Sequence, residues 1–175
     1  MDRDDRRMVR YAGGDVSAFE ALYADHEDRV YGFCLRRLDD PDAAADAFQD
    51  TWRRVVEGRR GYEPQGKFES WLFTLARRAC ADRRRSDREH ASLEADERPA
   101  REPTSGGAPP DTRLAREDEL RRLLDRLTDA QREALLLSKY EGFSYAEVAE
   151  MTGTTEAAVK QRVYRALRTL RTEER

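Results

Sequence analysis

Arginine is the side chain with which this protein can do most. Of its 33 basic residues only Lys67, Lys139 and Lys160 are lysines. The planar guanidinium matches phosphate oxygens in pairs, so clustered arginines point to a polyanion. Two clusters stand out: Arg77, Arg78, Arg83, Arg84, Arg85 and Arg88, and then Lys160, Arg162, Arg165, Arg168 and Arg171, which between residues 154 and 172 face Glu156 alone. The net charge of -3 hides them. By segment, residues 1–57 net -5, 58–88 net +5, 89–130 net -4 and 131–175 net +1. This alternation fits phosphate contact at two places and a protein partner elsewhere. Proton-transfer chemistry has only His26 and His90 to call on, and neither lies in a nucleophile motif; no glycine-rich phosphate loop or metal-ligand spacing occurs. Cys34 and Cys80 lack the paired spacing of a zinc or redox site and read as small buried residues. No catalysis, metal or cofactor is expected.

The elements that carry these residues are helical. Phe19, Leu22, Tyr23, His26, Val30, Phe33 and Cys34 recur at spacings of three and four, which predicts an amphipathic helix over about 16–38. Asp40 is a plausible cap and Pro41 suits the first turn of a second helix, about 41–57, striped by Ala44, Phe48, Thr51, Trp52 and Val55. A loop with Gly61, Pro64 and Gly66 leads into a third helix, about 67–88, burying Phe68, Trp71, Leu72, Leu75, Ala76 and Ala79. Residues 89–112, rich in proline, glycine and small polar side chains with Leu93 the sole sizeable apolar one, read as a flexible linker. A second helical module follows over 113–175. Ser144 and Glu147 form a capping box, Gly153 lies in a short turn, and the final helix, about 156–171, buries Val159, Val163, Ala166, Leu167 and Leu170. No strand pattern competes. The expected fold is all-α: two small helical domains, 1–88 and 113–175, joined by a linker that leaves them free to move, the second a helix-turn-helix.

Three faces remain to be explained. On the last helix, Lys160, Gln161, Tyr164, Arg165 and Arg168 point away from the apolar stripe, as major-groove reading requires, although a solvated helix face has the same composition. On the third helix, three consecutive arginines point all round the axis and resemble a phosphate-tracking surface more than a set of salt bridges. Beside it, Tyr62 either packs against Trp71 or is offered to an unpaired base. On the second helix, Asp42, Asp46, Gln49, Asp50, Arg53 and Arg54 make a mainly acidic face, which is either ordinary surface or a protein-docking site.

Taken in order, these features resemble an extracytoplasmic-function sigma factor, the compact group of the sigma-70 family that gives bacterial RNA polymerase its promoter specificity. FEALYADHEDRVY at 19–31 resembles the opening helix of conserved region 2, DAFQD at 46–50 the core-binding segment, and FESWLFTLARRACAD at 68–82 the helix that meets the minus-ten element. Residues 127–170, LTDAQREALLLSKYEGFSYAEVAEMTGTTEAAVKQRVYRALRTL, follow the region 4 pattern. The resemblance implies roles by position. Asp46, Gln49, Asp50 and Arg53 would meet the clamp helices of the polymerase largest subunit. Tyr62, Trp71, Arg77, Arg78 and Arg83 would bind the minus-ten element, Tyr62 at a captured base. Thr155, Lys160, Gln161, Tyr164 and Arg165 would read the minus-thirty-five element.

The chain departs from the family pattern at Ala43 and Ala45, often acidic, at Arg78, commonly asparagine, and at Ala157-Ala158, frequently Gly-Thr. The resemblance implies core RNA polymerase and promoter DNA as partners; an anti-sigma factor is a common further one, which no residue here identifies. No apolar run approaches the ~20 residues that span a bilayer, and the charged opening MDRDDRRMVR is unlike a secretory signal, so no membrane insertion and a cytoplasmic location are expected. The rival reading is a free-standing helix-turn-helix regulator that binds duplex DNA without polymerase.

Overall fold

Acidic residues set where the first helices begin. In a computed structural model that describes residues 1–94 and 112–171, Asp2 accepts from the Asp5 N–H and opens α1, Arg3–Ala12. Asp15 accepts from the Ala18 N–H and opens α2, Val16–Leu38. Asp40 accepts from the Asp42 and Ala43 N–H groups and, with Pro41 in the first turn, opens α3, Pro41–Gly58. Each cap satisfies N–H groups that have no partner inside the helix. A 3-10 turn, Arg59–Gly61, and an extended loop lead into α4, Phe68–Glu94. Met8, Leu22, Val30, Phe33, Val55, Phe68, Leu72 and Phe73 close the core of this first module.

α1 was not expected from periodicity. The third helix, expected to stop at 88, continues to Glu94: residues 89–94 hold neither proline nor glycine, so polar composition alone does not end it. The remaining linker residues, 95–111, lie outside the described residues.

The second module comprises α5, Thr112–Leu124, and α6, Asp129–Leu135, which runs on as a π turn over Leu136–Tyr140. α7, Tyr145–Thr152, and α8, Glu156–Arg171, complete it. Ser144 and Glu147 form the expected reciprocal capping box on α7, and Gly153 ends it at φ 65°, a conformation that glycine adopts without strain. Leu124, Leu137, Val148, Val159, Val163 and Ala166 fill this module's core. No strand occurs among the described residues, and the all-α expectation holds.

The two modules touch. Phe73 of α4 meets Phe143, before α7, edge to face at 5.4 Å between ring centroids, and the apolar side chains of both modules form one continuous cluster. Around that contact the interface is ionic. Arg37, 2% exposed, reaches Asp129 at 2.8 Å and Glu133 at 3.4 Å. In return Arg132, 3% exposed, reaches from α6 to Asp39 and, at 2.8 Å, to Asp125. Arg29 bonds Glu141 at 3.2 Å and Lys67 bonds Glu150 at 2.8 Å. In this conformation the modules are held together by these ion pairs and by the Phe73–Phe143 contact.

Candidate nucleic-acid and polymerase interfaces

The most open of the three faces is on α8. Val159, Val163 and Ala166 are buried against α6 and α7, so Lys160, Gln161, Tyr164 and Arg165 are turned to solvent, Tyr164 at 62% exposure. Thr155 receives the Ala158 N–H on its hydroxyl at 3.1 Å and so caps the helix. Its side chain thus stands at the positive end of the helix dipole, where anions are favoured. All five residues proposed by position share one exposed surface, and the four beyond Thr155 have no ionic or hydrogen-bonded side-chain partner among the described residues.

On α3, Asp46, Gln49, Asp50 and Arg53 line one open depression. Its charge is less acidic than composition suggested. Arg53 bonds Asp50 and, at 2.6 Å, Glu57. Arg54 bonds Asp50 at 2.7 Å and Asp82 at 2.6 Å, and Asp46 holds Arg83 at 2.9 Å. Gln49 is exposed beside them. The face is a lattice of paired charges, specific in pattern and low in net field.

The α4 arginines contradict the reading of a surface that tracks phosphate without salt bridges. Arg83 is shared between Asp46 and Asp87. Arg84 turns to Asp129 of the second module, and burial, together with Arg37 and Arg132 nearby, depresses the pKa of its guanidinium. Arg77 donates from Nε to Glu133 Oε1 at 3.0 Å and from Nη2 to Oε2 at 3.3 Å. Only Arg78, Arg85 and Arg88 of the cluster are exposed. The correction has a simple cause: a helix 27 residues long passes between two acidic neighbours, α3 and α6, and the arginines facing each are neutralised there.

Tyr62 takes the packing position without being sealed. Its ring stands edge to face on Trp71 at 4.9 Å and on Phe68 at 6.1 Å. Its hydroxyl donates to Asp5 of α1, and the Gly66 N–H donates to the other oxygen of the same carboxylate. Burial first, and then Asp5, push the Tyr62 pKa far above the usual phenol range, so the hydroxyl remains a donor. A cleft of ≈ 370 Å³ opens between Tyr62, Trp71, Lys67 and Ser70 on one side and Glu150 and Met151 of α7 on the other. Trp71 and Tyr62 are therefore brought together at a space wide enough for a base, while Arg77 and Arg83 are occupied elsewhere.

Sequence reasoning missed the pairing roles of Asp5, Asp129 and Glu133, while Cys34 and Cys80 are buried as expected. The Cys34 and Cys80 thiols lie against each other, both buried; that contact first, and burial second, push the Cys34 pKa far upward, which leaves it an unreactive thiol. Asp4, His26 and Glu69 bring three possible metal-binding atoms within 4.8 Å of one another. Their contacts are structural: Asp4 and His26 share a hydrogen bond of 2.8 Å, and Glu69 bonds Arg29 at 3.0 Å. The one available signal for Asp5 was its spacing of three from Met8, which puts both on the buried side of α1.

A family model described as Sigma-70 region 2 matches residues 22–90, and one described as Sigma-70, region 4 matches residues 117–170. The ECF RNA polymerase sigma factor SigK of Mycolicibacterium vanbaalenii is 37% identical over 175 residues, covering 95% of this chain and 87% of that one. Among solved structures, CnrH in complex with the cytosolic domain of CnrY superposes with a TM-score of 0.75 at 22% identity, over 97% of this chain and 95% of that one. The sigma factor RpoE from Bartonella quintana, in complex with the anti-sigma factor NepR, gives 0.70 at 24% identity, over 87% and 93%.

Proposed function

The chain belongs to the ECF RNA polymerase sigma factors of the sigma-70 family, and we propose how its surfaces divide that work. The α3 depression of Asp46, Gln49, Asp50 and Arg53 docks on the clamp helices of the polymerase largest subunit. Tyr62 and Trp71 receive an unstacked base of the melted minus-ten element by ring contact. Arg77, Arg78 and Arg83 hold the adjoining strand. Thr155, Lys160, Gln161, Tyr164 and Arg165 enter the major groove at the minus-thirty-five element, guanidinium and amide groups reading base edges while the capped helix start meets phosphate. The chain works as a binding subunit without chemistry of its own, in the cytoplasm with the polymerase. The single observation carrying this reading is the α8 face, basic and hydrogen-bonding, where Lys160, Gln161, Tyr164 and Arg165 have no ionic or hydrogen-bonded side-chain partner among the described residues, on the helix that the region 4 match covers.

The units proposed to act separately are residues 1–88 and 113–175, with 89–112 as the tether. Each contact with DNA is weak alone, and tethering both to one polymerase raises the effective concentration of the second. The clasped conformation is then a resting form, since Arg77 must exchange Glu133 for nucleic acid before it can serve the minus-ten strand. An anti-sigma factor is proposed as a further partner, in the manner of the Bartonella RpoE and NepR pair.

The test is promoter binding with and without core polymerase. Sequence-specific duplex binding that requires the polymerase supports the proposal. Equally specific binding by the chain alone would mark a free-standing regulator.

A further inference from the structure

The helix α1 lies outside both matched segments, yet its Asp5 is 0% exposed and touches the promoter-facing loop directly. A buried carboxylate needs compensation, and an arginine or lysine would ordinarily provide it. Here the cations go to its neighbour: Asp4 takes Arg3 at 3.1 Å, Arg7 at 3.1 Å and His26 at 2.8 Å. Asp5 has the Tyr62 hydroxyl on one oxygen and the Gly66 N–H on the other. These are the first and last residues of the segment Tyr62-Glu63-Pro64-Gln65-Gly66. One carboxylate thus clips both ends of a five-residue loop whose middle is exposed.

The clip has two consequences. Gly66 is held at φ +72°, a conformation other residues rarely adopt, so the loop returns sharply toward α4. The Tyr62 hydroxyl is committed inward, so an incoming base meets the ring and the loop rim rather than the phenol oxygen. We infer that Asp5 is a positioning residue for promoter capture: it sets the Tyr62 ring against Trp71 and fixes the loop ends, so that the cleft exists before DNA arrives. The inference rests on the reading of Tyr62 as the base-contacting residue. Preorganisation of this kind removes an ordering cost from binding and sharpens discrimination between bases.

The experiment uses holoenzyme assembled from core polymerase and the full chain, on a promoter library randomised across both elements, with transcripts sequenced to give base preferences. Asp5→Asn, Tyr62→Phe, their combination and Tyr62→Ala are compared with the native chain. Asp5→Asn and Tyr62→Phe are each expected to flatten base preference at the captured minus-ten position by on the order of tenfold, the scale of one charge-assisted hydrogen bond. Preference at the minus-thirty-five element stays unchanged. The double variant should lose little more than either single one, because the hydroxyl acts through the carboxylate. A uniform fall in output with preferences intact, or additive losses in the double variant, overturns the inference. If Tyr62→Ala itself leaves the preference intact, the base-contact reading falls and this inference with it. If Tyr62→Ala flattens it while Asp5→Asn and Tyr62→Phe do not, Asp5 alone is excluded. Should Asp5→Asn fail to fold, Tyr62→Phe keeps the ring, removes the same contact and decides the matter.

Discussion

Arg77 and Glu133 face each other across the two modules in a fork-to-fork arrangement, with Nε and Nη2 of the guanidinium at 3.0 Å and 3.3 Å from the two carboxylate oxygens. A phosphate would be held by the same pair of donors. Glu133 also receives Arg37 at 3.4 Å, so one acid from the second module neutralises two arginines of the first.

Glu133→Gln should therefore loosen the clasp. The expected cost to module association is about 1–3 kcal/mol, since Arg37 is left buried with only Asp129 to compensate it. Energy transfer between dyes on α3 and α8 of the free chain measures it, with lower transfer expected in the variant than in the native chain. Transfer indifferent to the substitution would mean that the apolar contact of Phe73 with Phe143 holds the modules without this acid.

Arg165→Ala should reduce promoter use by roughly tenfold or more, given about 1–3 kcal/mol for a good guanidinium contact to a base. A pull-down with core polymerase should be unchanged, because α8 lies away from the α3 depression. Joint loss of both would move the polymerase contact onto α8.

Asp46→Lys tests α3. It replaces the partner of Arg83 with a like charge, and polymerase association should weaken, mainly through slower binding, as expected when a charge at an interface rim is reversed. Gln49→Ala, which disturbs no ion pair, should weaken association without altering Arg83. If neither changes it, the depression is ordinary surface.

Acid should release α1 only below the ordinary aspartate range. Arg7, by hydrogen bonding, holds the Asp25 carboxyl below the usual range against burial, and Arg3 adds to it. Burial pushes Asp4 upward, but His26 and Arg3 together leave it lowered. Groups with depressed folded values stabilise the protein above the ordinary aspartate range, and that stability is lost as pH falls through their folded values. Both tie α1 to α2. Tryptophan fluorescence, sensitive to Trp71 beside the Tyr62 loop, should therefore hold steady through the ordinary aspartate range and change only below it. A change centred within or above that range would show that these carboxylates do not hold α1.

Much of the fold was legible because burial here follows apolar spacing. The α2 stripe from Phe19 to Cys34, the Asp40-Pro41 start of α3 and the Ser144/Glu147 box of α7 all express local chemistry that survives packing. The α8 face was legible for the same reason, since its stripe of Val159, Val163 and Ala166 fixes what points outward. The misreadings share one cause: charged residues were taken as solvent-facing. Asp5, Arg37, Arg132 and Glu133 are buried because each has a partner distant in sequence, and a pattern of single-residue polarity carries no record of pairing. For the same reason Arg83 and Arg84 looked like free cations.

The most direct measurement is initiation itself: core polymerase, with and without the chain, on the randomised promoter library, with start sites mapped and melted thymines detected by permanganate. Start sites and a melted minus-ten region should appear only when the chain is present, with Tyr62→Ala changing the preferred minus-ten bases and Arg165→Ala the minus-thirty-five bases. A polymerase that binds the chain yet initiates at the same sites without it would contradict the account.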